Sequence, residues 1–232
     1  HRVYFCARMK IRVKRNVEVT MAGKVIKNGL RWLVICIIIF LISIFLHECG
    51  HGLANHLRGI SCSTGFNRVG DIYKYPKDVD FRAAYRNASE SLLDFGVPIT
   101  LLLASAGTFC ACRLHGWSQK ISWPIAVTNS MLRLIPCIYV LFVPLFTGNV
   151  WKEDEYETGQ YLAQLVGCSA LTYLPAFVSV LISIVCLFFL LHKGKQKMSR
   201  WMIAGYALVT LLGYDLSLYI ANWLDDFIRI NW

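Results

Sequence analysis

The chain has 232 residues, of which 56% are apolar and only 16% charged, with a formal net charge of +10. Soluble domains run near a quarter charged, so this balance argues against an ordinary soluble domain. It argues equally against a nucleic-acid binder. The basic residues sit at the margins of long apolar blocks, where the positive-inside rule places them, and no stretch is polar enough to build a basic face.

Residues 1–31 form a basic N-terminal segment, with nine Lys or Arg against one Glu and no signal-peptide apolar core. It is expected to lie on the membrane surface or to stay disordered. The first span begins at Trp32, is apolar through residue 46 except for Ser43, and keeps its helical pattern to about Arg58. Residues 59–89 are a polar or re-entrant insert, in which the alternation Ile72-Tyr73-Lys74-Tyr75 suggests strands or a hairpin. A second span covers roughly 91–113 and a third 123–146, followed by the acidic loop Lys152-Glu153-Asp154-Glu155-Tyr156-Glu157. Residues 158–192 are too long for one straight crossing of a ~30 Å core, and Pro175 is expected to divide them. The last span covers 201–223, closing a transmembrane core over 32–224, and residues 225–232 are a tail.

The expected fold is therefore an all-α membrane protein, a bundle of five or six transmembrane helices with a small irregular or β segment between the first two. Five crossings put 15 Lys or Arg on the N-terminal side against eight on the other, which places the N-terminus in the cytosol; six crossings remove most of that asymmetry. Trp32, Trp117, Trp123, Trp201 and Trp223 sit near span ends as an interfacial belt. Of nine cysteines, Cys36, Cys137, Cys168 and Cys186 lie in apolar runs and read as small buried hydrophobes, while Cys110 and Cys112 are too close for an ordinary disulfide.

The chemistry concentrates in His47-Glu48-Cys49-Gly50-His51. Two histidines four residues apart project from one helix face, a spacing that lets both imidazoles bind one Zn²⁺, with Glu48 placed to take a proton from bound water. Ionisable groups cost on the order of 2.5–3.5 kcal/mol each at the centre of a membrane span, so three of them after an apolar run call for a compensating metal. His56 falls roughly opposite on the helix wheel and is not counted as a ligand. A catalytic zinc needs a third protein ligand. Asp154, flanked by Glu153 and Glu155, is one candidate. Asp215, in mid-span and able instead to pair with Arg133, is a second. Asp94, also readable as a helix-start charge, is a third.

The run HECGHGLANHLRGI resembles the metal-binding helix of the site-2 protease family of intramembrane zinc metalloproteases. Gly96-Val97-Pro98 with Ile99–Gly107 is similar to that family's Gly-Pro helix, although Val97 separates the two residues. Asn129 through Pro136 and then Asp154 resembles its Asn…Pro…Asp-Gly motif, with a longer spacing and Glu155 in place of glycine. The likeness covers about residues 33–170. It implies that Asp154 is the third ligand and that Asn129 hydrogen-bonds a substrate backbone. Arg133, one turn after Asn129, shares its helix face and is a second candidate for lining a substrate cavity. For both residues, hydrogen bonding between helices is the alternative role.

The expected function is zinc-dependent hydrolysis of a peptide bond in or near the membrane segment of a transmembrane protein substrate, within the lipid bilayer and without nucleic acid. One alternative is another membrane zinc protease with a glutamate ligand, Glu153 or Glu155. A second is a non-catalytic metal-binding scaffold, against which the intact Glu48 speaks.

Overall fold

The computed structural model describes residues 2–70, 94–196 and 198–232, residues 2–22 as helical backbone only. Six α-helices dominate. Helix α1 is Arg2–Leu57, α2 Gly96–Arg113, α3 Gly116–Thr147, α4 Asp154–Val166, α5 Leu174–Lys195 and α6 Arg200–Leu224. Five segments are long and apolar enough to cross a membrane: Gly23–Leu57, Gly96–Arg113, Gly116–Thr147, Ser169–Lys195 and Arg200–Leu224. The chain has the fold of an all-α, multi-pass membrane protein, with five such segments among the described residues.

The N-terminal segment, expected on the membrane surface or disordered, is instead backbone of the same helix that carries the first span. Residues 158–192 divide as their length requires. The amphipathic α4 ends at Gly167, which takes a left-handed φ of 76° and donates its N–H to Ala163 O. A short 3₁₀ turn, Ser169–Tyr173, then leads into α5. Pro175 sits in the first turn of α5, where the missing N–H breaks no helical hydrogen bond. Only the second part is long and apolar enough to cross a membrane, which leaves five such segments among the described residues.

Helix α1 packs on α6, α2 and α3, while α3 also packs on α2 and α5. One apolar core, Cys36, Phe40, Ile44 and Leu132, joins α1 to α3, with Tyr214 and Leu218 of α6 against it. A second, Cys137, Val140, Tyr156 and Ala176, holds α4 and α5 onto α3. Small residues set the α2–α3 spacing, since a Cβ on Gly107 would stand 3.0 Å from Ala126 N. Large apolar side chains such as Leu102, Phe109, Phe188 and Leu208 face outward, as a lipid solvent permits. Cys36, Cys137 and Cys186 are buried as expected; Cys168 is exposed.

A small sheet covers the end of the bundle reached by the C-terminal half of α1. Its order is β2-β1-β3, with β1 Ser63–Thr64, β2 Val69–Gly70 and β3 Ile230–Asn231. Both pairings of β1 are antiparallel. The β segment thus begins inside the expected insert, but it is completed by the tail. The Ile72–Tyr75 alternation lies outside the described residues. Asp225 fixes the tail by accepting the N–H groups of Phe66 and Asn67. Trp232 reaches back onto α1, donating Nε1–H to Thr64 Oγ1 at 2.8 Å beside Gly52.

Candidate metal centre

His47 and His51 lie on successive turns of α1, at the end of the bundle that also holds the start of α2 and the start of α4. Their Nε2 atoms are 3.0 Å apart. Asp154, the first residue of α4, brings Oδ2 to 2.8 Å from His47 Nε2 and 3.5 Å from His51 Nε2. Two ligands on one tetrahedral zinc stand roughly 3.3 Å apart, given bonds of about 2.0–2.1 Å. Three lone-pair donors converging this closely repel one another unless a proton or a cation lies among them. The donor set therefore fits a divalent metal. Among the described residues, His47, His51 and Asp154 are the group of three whose ligand atoms lie close enough to share one ion.

The other candidates are placed elsewhere. Glu155 is fully buried and faces Arg133, whose Nη1 stands 3.4 Å from either carboxylate oxygen. Glu153 accepts a hydrogen bond from Trp151 Nε1 at 2.9 Å. Asp215 is exposed on the outer side of α6, and the partners of Arg133 are Glu155 and Asp154 rather than Asp215.

Asp94 has a role that the sequence reading did not assign. Its Oδ1 lies 2.8 Å from His51 Nδ1 and also accepts the N–H of Gly96 at 2.9 Å. A carboxylate on the far nitrogen of a histidine fixes the tautomer and the ring orientation, leaving Nε2 with its lone pair toward the metal position. Asp94 is thus both the helix-start charge it was read as and the orienting partner of His51. His47 Nδ1 is buried and has no such partner among the described residues.

Glycine makes the geometry possible. A Cβ on Gly96 would lie 2.7 Å from His51 Nε2 and 2.9 Å from His47 Cε1, so the α2 backbone rests directly against both rings. A Cβ on Gly50 would meet Gly96 N at 2.6 Å. The glycine inside the HExxH run therefore lets α2 close on α1.

Outside the spans, the carboxylates respond to this crowding. Burial raises the Asp154 carboxyl, but His51 and the hydrogen bond from His47 outweigh it and hold the group well below the usual carboxylate range. Asp94 is held low in the same way, with burial opposed by its bond to His51. Glu153 moves the other way, pushed up to about 7 by burial and by the neighbouring Asp154 charge.

The centre opens into a cavity of about 300 Å³ whose walls include Glu48, Arg133, Pro136, Tyr214 and Leu218. Glu48 thus faces the same space as the two histidines. Arg133 lines it too, with Nη1 3.5 Å from Asp154 Oδ2. Asn129 does not line it. Its side chain is buried between helices, donating to Ser43 Oγ at 3.0 Å and to Ile125 O at 2.9 Å, which is the helix-bridging role.

No family model, curated protein or solved structure matches this chain. What can be said of the centre rests on its own donors, spacing and surroundings. They describe a site able to hold a metal ion beside a carboxylate, at one end of an apolar helical bundle.

Proposed function

We propose that the protein is a zinc-dependent intramembrane endopeptidase. The observation that carries this reading is the convergence of His47, His51 and Asp154 on one point in a cavity that Glu48 also lines. Two nitrogens and one oxygen suit zinc and leave a position open for water, the composition of catalytic rather than structural sites. When bound, zinc lowers the pKa of water toward neutrality and polarises a carbonyl oxygen.

The remaining work falls to the side chains. A Glu48 carboxylate oxygen takes the proton from the attacking water and delivers it to the leaving nitrogen, so that water and one amide bond become a carboxylic acid and an amine. Asp94 holds His51 in its ligating tautomer. Arg133 places a fixed positive charge behind Asp154 and at the cavity wall, where it neutralises the carboxylate cluster. At about 300 Å³ the cavity has room for a short extended stretch of backbone rather than an intact helix; a transmembrane substrate unwinds locally to present its bond.

By the charge asymmetry, the basic end of the bundle faces the cytosol and the metal end faces the opposite side. Thiol labelling at Lys152→Cys and Gly59→Cys in a background without native cysteines tests this. Both sites are expected to label from the non-cytosolic face, and labelling of the pair from the cytosol reverses the orientation.

The decisive measurement combines elemental analysis with cleavage of a panel of detergent-solubilised transmembrane peptides. Wild type is expected to carry about one zinc per chain and to cleave at least one peptide. Glu48→Gln keeps the zinc and loses at least ~10²-fold in rate, the usual contribution of a general base. His47→Ala and His51→Ala lose both. Full zinc in the double histidine variant, or undiminished cleavage by Glu48→Gln, refutes the assignment.

A further inference from the structure

A second and larger cavity, about 590 Å³, lies at the opposite end of the bundle, between α1, α3, α5 and α6. Trp32, on its wall, precedes His47 by fifteen residues, or ~22 Å along the helix, so the two cavities are separate. Its walls are almost wholly apolar, formed by Trp32, Trp123, Met131 and Leu187 among others, yet two cations, Arg31 and Lys193, line it as well. Arg31 immediately precedes Trp32, and Lys193 is in the last turn of α5, so both mark the charged margin of their spans. No ion pair joins either cation to a side chain among the described residues. The walls are preset: Trp32 donates Nε1–H to Thr210 Oγ1 at 2.9 Å and meets Tyr206 edge-on at 5.4 Å.

An apolar cleft between transmembrane helices, with uncompensated cations and indole rings at its headgroup-level end, matches one class of ligand. Its acyl chain replaces lipid-phase contacts along the walls, and its anionic headgroup answers the two cations. We propose that this cleft binds one anionic phospholipid, with the phosphate between Arg31 and Lys193 and an acyl chain running toward Met131 and Leu187. A neutral lipid leaves the cations unanswered, and free phosphate leaves the apolar walls empty. A transmembrane helix is far wider than a single chain and is the occupant that the test must exclude.

The test uses the full chain in nanodiscs, with photoreactive phosphatidylglycerol or phosphatidylcholine carrying the same diazirine acyl chain. Cross-links are mapped by mass spectrometry. The expected result is labelling at Met131, Leu187 or their wall neighbours by the phosphatidylglycerol probe, several-fold above the phosphatidylcholine probe. Unlabelled phosphatidylglycerol should compete, and glycerol phosphate should not. Arg31→Gln combined with Lys193→Gln should reduce the preference about tenfold, since each basic residue near a headgroup contributes a few-fold. Ala207→Phe, which adds a ring at the cleft wall, should suppress wall labelling with both cations intact. Equal labelling by the two lipids, a preference untouched by the double variant, competition by glycerol phosphate, or displacement of the probe only by an added transmembrane peptide would each overturn the proposal.

Discussion

The two ends of the bundle are built on the same three helices, α1, α3 and α6, and they treat charge in opposite ways. At the metal end His47, Arg133 and Glu155 are buried, and each is held by a partner. At the cleft end Arg31 and Lys193 stand at the margin with no ion-pair partner among the described residues, against an apolar interior. A low-dielectric interior tolerates charge where charges answer one another, and otherwise leaves it at the boundary. The comparison teaches that position along a span decides what a charged residue is for. The same substitution should therefore have very different consequences at the two ends.

The sharpest way to break this comparison is to remove Arg133. Arg133→Met leaves the buried Glu155 without its cation, and a destabilisation of roughly 3–5 kcal/mol is expected. Thermal unfolding in detergent should show it, with a fall of many degrees. Arg31→Met, at the other end, should change stability by no more than about 0.5 kcal/mol, as substitution of a marginal cation without an ion-pair partner does. Equal shifts would erase the distinction.

Backbone contact gives the next effect. Gly50→Ala forces a Cβ into the α2 backbone and is expected to cost about 1–3 kcal/mol by overpacking. Gly205→Ala, on the open side of α6 with nothing within 4 Å, should be neutral or slightly stabilising. Comparable losses in both would show that α2 does not close on α1 as described.

Asp94→Asn should retain the fold and weaken metal affinity by about 10- to 100-fold, the range for partners that orient a histidine ligand. Competition with a chromogenic chelator measures this. Unchanged affinity would remove Asp94 from the centre, and Arg31→Gln with Lys193→Gln serves as the control that leaves affinity alone.

The smallest effect concerns pH. Burial pushes the Asp225 carboxyl above its ordinary value, against the N–H groups of Asn67 and Phe66 and the nearby arginines. A carboxyl raised on folding contributes stability below its unfolded pKa and loses that contribution as pH rises through the folded value. The contribution of Asp225 to stability should therefore fade as pH rises above the ordinary carboxylate range. Asp225→Asn should lack that component. A steeper decline in the variant than in wild type would reverse the sign.

Parts of this picture were legible in the sequence for local reasons. His47 and His51 face the same way because four residues make about one turn, whatever the rest of the chain does. That 158–192 must break follows from its length, but the break falls at Gly167 rather than at Pro175, which sits in the first turn of α5. Asp154 emerged from a resemblance and a loop position, and the structure sets it beside both histidines. The orienting role of Asp94 was not legible, because it depends on how α2 meets α1 across 43 residues of sequence. The partner of Arg133 was sought at Asp215, in a span, and is Glu155, just outside one. Nor does a two-residue strand such as Ile230–Asn231 carry enough pattern to announce that it pairs with Ser63–Thr64. Asn129 shows the converse: its polar character was visible, but whether it faced a cavity or Ser43 was a matter of helix rotation.

The contact between Gly50 and Gly96 bears on engineering. A designer who copied His47, Glu48, His51 and Asp154 onto another helical bundle would reproduce the donors and still fail, because ordinary side chains between the helices would hold the opposing backbone away. The transferable unit is a pair of facing gaps in the side-chain layer together with the residues around them. Searching designed bundles for two helices that already touch through glycine would be a more productive start than searching for a helix that tolerates HExxH.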